Sequence, residues 1–495
     1  MSDIVVVGAG VGGLAAALRL RAAGHRVTVL EQADAVGGKL GVIRHDGFVF
    51  DTGPSLVTMP HILRELLATA GRRTDDVLSL SRLDVAARYR FPDGTILDMP
   101  GELDRIPGAL DAALGHRTGD QWCSFLARAR DIWAASREPF LESPVGPGTL
   151  IRASRPSDLT TIAPWCTLRD LGRRYLHDPR LTMLLDRYAT YSGSDPRAAP
   201  AALAAVPWTE QAWGSWYVDG GLGRIAEVLR DSFVELEGNL ELGVAVDEIR
   251  TDASGRACGV RLGDGTVRAP DLVVANADAR QVYEKLLSGP TAARVAARTR
   301  KATPSLAGFV LLLALDDPPS DVPHHQVLFA EDYDAEFDAV FGRGGPARPV
   351  HRPTVYISAP DDPAIVPGPG NASWFVLVNA PRHDPAGGMD WDETGLAESY
   401  ADHILQVMAD RGLDVRGSIR HRIILTPADL ERRTLTPGGS IYGSSSNGAR
   451  AAFLRPRNAS PIPGLYLVGG SAHPGGGLPL VMLSAKIVAG LIGPA

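Results

Sequence analysis

Three cysteines in 495 residues, Cys123, Cys166 and Cys258, are too few and too scattered for a disulfide framework or a thiolate metal site. They read as small buried residues of a protein kept in a reducing cytoplasm. Lysine is scarce too: Lys39, Lys285, Lys301 and Lys486 are the only four among 50 basic residues. With 57 acidic residues the net charge is −7, so no basic surface for nucleic acid is expected. Long apolar runs are missing. The longest, Leu306 to Leu315, is too short to span a bilayer and reads as a buried strand. A strand already begins at Asp3, so no signal peptide is expected. His324-His325 has no cysteine or carboxylate set beside it, so no metal is expected there. The length exceeds what one core serves, and two or three intertwined domains are expected.

Glycine, by contrast, is placed with purpose. Asp3-Ile4-Val5-Val6-Val7 is a short β-branched run suited to a strand buried on both faces. Gly8-Ala9-Gly10-Val11-Gly12-Gly13 follows at once, with Gly8, Gly10 and Gly13 at the first, third and sixth places. Leu14 to Ala23 has helix-forming composition, Gly24 ends it, and His25 to Leu30 reads as a second strand with Glu31 at its carboxyl end. Strand, glycine turn, helix, strand and acid together form a dinucleotide-binding pattern. Gly8 permits the tight turn, Gly10 lets the backbone approach a pyrophosphate, and Gly13 lets helix and strand pack closely. Phosphates would sit on the free N–H groups of the helix start, while Glu31 accepts from an adenosine ribose.

Two stretches downstream carry a resemblance. Glu31 to Lys39 ends in Gly37-Gly38-Lys39, and Phe50-Asp51-Thr52-Gly53-Pro54-Ser55 follows. Near the other end, Gly469-Gly470-Ser471-Ala472-His473-Pro474-Gly475-Gly476-Gly477-Leu478-Pro479-Leu480 joins a strand to a last helix. This set resembles FAD-dependent amine oxidases and, more closely, the bacterial phytoene desaturases and related carotenoid desaturases. The C-terminal phrase leans toward hydroxycarotenoid 3,4-desaturases and C30 carotenoid desaturases. The resemblance implies FAD, with Gly38 and Lys39 along it, Asp51, Gly53, Pro54 and Ser55 near the flavin, and Val246 beside the adenine. It also implies that Gly469, Gly470, Gly477, Leu478, Pro479 and Leu480 border the flavin. There the start of the last helix would stabilise negative charge on the reduced ring.

The fold expected is α/β: a Rossmann-like FAD-binding domain of amine oxidase/phytoene desaturase type, interleaved with an α+β substrate domain. Residues 1–80, 219–290 and 455–495 are assigned to the first, and 81–218 and 291–454 to the second. Helices are expected at 61–71, 121–137, 168–176, 179–190 and 224–236, with a hairpin around Pro92-Asp93-Gly94 and a loop at 143–148. Strand-like runs at 305–315, 326–329, 354–358 and 374–379 suggest a mixed sheet. The Ala/Leu/Val run 200–207, followed by Trp208, Trp213 and Trp216, is the candidate apolar entrance for substrate, or else packing between domains.

The function implied is desaturation of a long apolar polyene, with hydride passing from an allylic C–H to flavin N5. A carotenoid isomerase, a flavin amine oxidase and an FAD-carrying scaffold are the alternatives. No second glycine fingerprint follows a strand, so a quinone or oxygen, not NAD(P)H, is the expected electron acceptor. A cytoplasmic location is expected, with peripheral contact at the inner face of the cell membrane. His473 is the one titratable residue that a motif sets beside the flavin; it either shapes the turn or assists proton loss.

Overall fold

The computed structural model describes residues 1–146, 156–448, 451 and 455–495. The loop expected at 143–148 lies in part outside them. Four short, largely apolar strands and a polar edge strand form a parallel sheet in the order Leu465–Leu467, Leu272–Ala275, Asp3–Val7, Arg26–Leu30, Asn239–Glu241. Strands of such a sheet are covered on both faces, which is why they read as continuous apolar runs. Its segments come from both ends and the middle of the chain. The fold therefore closes only when the ends meet.

The helix Val11–Ala22 lies against this sheet and is enclosed by helices Gly223–Glu235 and Leu478–Ile492. Leu14, Ala15, Ala16, Ala17 and Leu18 are all fully buried. A helix that is apolar all round has no face left for water, and its run of alanines lets the neighbouring helices come close.

The second sheet has seven strands, in the order Ile419–Leu425, Ala307–Asp316, Asn371–Ala380, Val355–Ser358, His325–Leu328, Val85–Arg90, Ile96–Pro100. It is mixed. All pairs are antiparallel except His325–Leu328 with Val85–Arg90. The long apolar run is its strand Ala307–Asp316, paired with Asn371–Ala380 from Ala307↔Ala380 to Asp316↔Asn371. Helices Ile106–Leu114, Thr118–Ser136 and Pro179–Thr190 share a separate core, with Trp122 and Phe125 fully buried.

One expectation fails. Only Cys166 is buried; Cys123 and Cys258 are exposed. Cys123 lies on helix Thr118–Ser136 between the buried Trp122 and Phe125, but on the outer face. Cys258 sits on strand Ala257–Leu262, whose alternation turns it outward between Ala257 and Gly259. No helix among the described residues is long and apolar enough to cross a membrane.

Candidate cofactor and active site

The carboxyl ends of the parallel strands open into a cavity of about 500 Å³, walled on its far side by the seven-stranded sheet. A crevice at that end of a doubly wound sheet is where such folds bind dinucleotides. Gly8, Gly10 and Gly12 line it as the turn enters the helix Val11–Ala22. Gly13 does not line it but allows the turn to exist, since a Cβ there would lie 2.1 Å from the Gly8 carbonyl oxygen. Beneath the turn lies Asn276, at the end of strand Leu272–Ala275. A Cβ at Gly10 would approach Asn276 Nδ2 to 2.8 Å, and one at Gly469 would approach Asn276 Oδ1 to 2.5 Å. Asn276 thus fills the space that two glycine segments leave, and it locks both ends of the chain together.

Glu31 lines the cavity and its carboxylate accepts from Ala9 N at 2.6 Å and Ala33 N at 2.9 Å. Two lone-pair directions remain for a ribose. Gly38, Lys39, Gly53, Pro54, Ser55 and Val246 also line the cavity. So do Gly469, Gly470, Gly477, Leu478 and Pro479, the last two in the first turn of helix Leu478–Ile492.

Lys39 Nζ donates to the carbonyls of Ser440 (2.9 Å) and Ile441 (2.7 Å). Burial pulls its pKa down to about 8, with Asp278 opposing. Arg455, also buried, holds the same loop from the other side. It donates to the carbonyls of Tyr442 (3.1 Å), Ser444 (2.7 Å) and Gly470 (2.6 Å). Two buried cations therefore tie the loop 440–444 to the glycine segments.

Several expected residues lie elsewhere. Asp51 faces away from the cavity and accepts from Leu222 N (2.7 Å) and Gly223 N (2.9 Å), at the start of helix Gly223–Glu235. Its position one residue before the lining segment pointed its side chain to the opposite face of the strand end. Leu480 is partly buried against the core and does not line the cavity, whereas Val481 does. His473 is also off the wall: it is 5% exposed, and its Nε2 bonds to the Ser143 carbonyl at 3.0 Å. Burial lowers its pKa to about 4, the Ser143 carbonyl opposing.

The three tryptophans are half-buried packing elements. Trp213 stands edge-on to Trp133 at 5.6 Å, Trp216 donates from Nε1 to the Trp213 carbonyl, and Trp208 bridges two cores. None of them lines the cavity.

Other lining residues went unread in the sequence. Arg187 and Tyr191 reach the wall one helical turn apart, at the end of helix Pro179–Thr190. Tyr356 lies opposite, bonded to Ser55 Oγ at 2.5 Å and to His325 Nδ1 at 2.9 Å. Arg433 donates to Thr52 Oγ1 at 3.0 Å. A lone arginine or tyrosine in a helix carries no local signal; only the tertiary fold brings these together.

Residues 11–493 match the family described as flavin containing amine oxidoreductase. The chain belongs to that family. Within it, the chain is similar to a 4,4'-diapolycopene oxygenase of Methylomonas sp., at 34% identity over 98% of this chain and 97% of the relative. It is 31% identical to a 1-hydroxycarotenoid 3,4-desaturase of Flavobacterium sp. (strain P99-3), over 99% of each. It is also 31% identical to a lycopene-forming phytoene desaturase of Pseudescherichia vulneris, again over 99% of each. Putrescine oxidase with putrescine bound shares the fold, with a TM-score of 0.65 at 15% identity over 99% of both chains.

As a member of this flavoprotein family the chain uses FAD. The residues present fit it, because Gly8, Gly10 and Gly12 line the cavity at the start of helix Val11–Ala22 and Glu31 faces the same cavity with acceptor capacity to spare.

Proposed function

We propose that this protein is an FAD-dependent desaturase of a long apolar polyene, a carotenoid or carotenoid precursor. The observation that carries the reading is the cavity itself. It runs from the glycine turn of the first helix to a wall of Val310, Val327, Phe375 and Leu377, so a dinucleotide and an apolar chain would share one cavity. The relatives named above act on carotenoids by their names, which supports the same class of substrate. In this reading Gly10 and Gly12 hold the phosphates, Glu31 the ribose and Val246 the adenine, with the ring between Ser55 and Gly477–Pro479. Bound FAD supplies the two-electron acceptor, and the product has lost two hydrogens from neighbouring carbons.

The protein's part is binding and positioning. A polyene presents no charge, so its affinity comes from apolar burial at about 25 cal/mol per Å². Holding one C–H at the reacting position in a dry cavity lowers the barrier by proximity rather than by acid–base groups. An amine substrate is disfavoured, because its ammonium would enter beside the buried guanidinium of Arg187, which has no ion-pair partner among the described residues. The reading keeps the two domains at the boundaries given above, and a quinone or oxygen as the acceptor.

A polyene dissolves in a bilayer, so contact with the inner face of the cell membrane belongs to the proposal. Its support is Trp165, 70% exposed, with Leu159, 51% exposed, a short distance before it. Incubating flavin-loaded protein with a carotenoid panel and a quinone, then weighing products, tests the function. Loss of hydrogen pairs is expected; unchanged mass with altered geometry would indicate isomerisation instead.

A further inference from the structure

Arg187 is the charge that the desaturase reading does not use. Its side chain lies in the cavity wall, 7% exposed, yet it has no carboxylate partner among the described residues. Nη1 donates to Tyr191 Oη at 2.8 Å and lies 3.5 Å from Tyr89 Oη. Glu210 favours the guanidinium charge through space without touching it, and its Oε1 accepts from Tyr188 Oη at 2.8 Å. Three tyrosine faces surround the guanidinium, with Tyr191, Tyr356 and Tyr89 ring centres at 5.1, 5.6 and 5.7 Å. Ring faces offset part of the cost of burying a cation, but they accept no conventional hydrogen bonds. Nε and Nη2 have no acceptor among the described residues. A donor fork that lines the cavity beside Val327 and three tyrosine rings is open to a polar group of a ligand bound there.

An all-hydrocarbon polyene offers nothing to that fork. We propose that Arg187, held by Tyr191 and Tyr89, binds an oxygen atom of the substrate, a hydroxyl or carbonyl carried near the bond that is oxidised. The location follows from Tyr356. Its ring touches the guanidinium on one side, and its hydroxyl bonds to Ser55, which the flavin placement puts beside the ring. One aromatic ring thus separates the oxygen site from the reacting position. The proposal rests on the desaturase reading and narrows its substrate to an oxygenated polyene. Arg187 is a specificity residue here, and no proton is moved through it.

The test compares three polyenes of equal length: the hydrocarbon, the same chain with a terminal hydroxyl, and the same chain with a terminal aldehyde. Equilibrium binding to the flavin-loaded protein, followed by the polyene absorbance, is measured beside kcat/KM. The parental protein is expected to favour the oxygenated chains by about 10- to 100-fold, the worth of a charge-assisted hydrogen bond. Arg187→Met should erase that preference by weakening only the oxygenated chains, and Arg187→Lys should restore part of it. Tyr191→Phe, which frees the fork, should lower the preference by a smaller factor, and it carries the test should Arg187→Met not fold. Equal binding of all three chains by the parental protein, or an equal loss on all three in the variants, would overturn the oxygen site. A parental protein that binds the oxygenated chains preferentially but oxidises none would sink the desaturase reading and leave the site standing.

Discussion

At the scale of single residues, the contacts around Asn276 separate two roles of one glycine. Gly10→Ala sets a methyl 2.8 Å from Asn276 Nδ2, an overpacking that costs about 1–3 kcal/mol. Adding Asn276→Ala should recover the melting temperature but not flavin retention, because a methyl there would still crowd a pyrophosphate lying along the turn. Recovery of both would mean that the phosphates do not lie on that turn. His473 gives a second residue-scale expectation. Its pKa falls from 6.5 to about 4 in the fold, so between those values the unfolded chain binds a proton that the native protein refuses. Its contribution is full above 6.5 and is lost as the pH drops toward 4. The stability gap between the parental protein and His473→Gln should therefore narrow over that window in urea titrations. Between about pH 6 and pH 9 the kcat/KM profiles of the two should keep the same shape, and a vanished inflection would restore His473 as a proton carrier.

Among elements, the loop 440–444 is the one whose position the site depends on. Lys39 and Arg455 hold it through four of its backbone carbonyls, two each, and Arg455 also donates to the Gly470 carbonyl. Lys39→Met or Arg455→Met should each leave buried acceptors unpaired, at about 1–3 kcal/mol, and raise the rate at which FAD is lost on dialysis. Asp51→Ala is expected to differ. It uncaps helix Gly223–Glu235 and should lower the denaturation midpoint while the folded fraction keeps its flavin. This contrast also marks what the sequence could tell. Lys39 and Asp51 both sit in motifs near the cofactor, but a motif gives chain proximity, not side-chain direction. Lys39 does line the cavity and Asp51 turns to the helix behind it. Arg455 has no motif at all; its place follows from the last strand and helix closing on a loop more than ten residues earlier.

For the whole molecule, the parallel sheet was legible because its inner strands are short apolar runs with a glycine or polar end, whereas the edge strand Asn239–Glu241 carries no such signal. The strand Ala307–Asp316 was legible for the same reason. The aromatic stretch at 208–216 was ambiguous, since density of tryptophan in sequence fits a tunnel and a packed seam equally. In the fold Trp213 packs against Trp133 and His61. The Arg187 cluster was not legible because Tyr89, Arg187 and Tyr356 come from three distant segments that meet only across the second sheet. The account as a whole claims one cavity in which FAD and an apolar chain meet. Mixing the FAD-loaded protein anaerobically with one equivalent of polyene tests that claim most directly. The account predicts that the oxidised flavin band bleaches in step with a product lighter by two hydrogens, one product for each flavin reduced. A product of unchanged mass, or a flavin that stays oxidised while the polyene is bound, would contradict it.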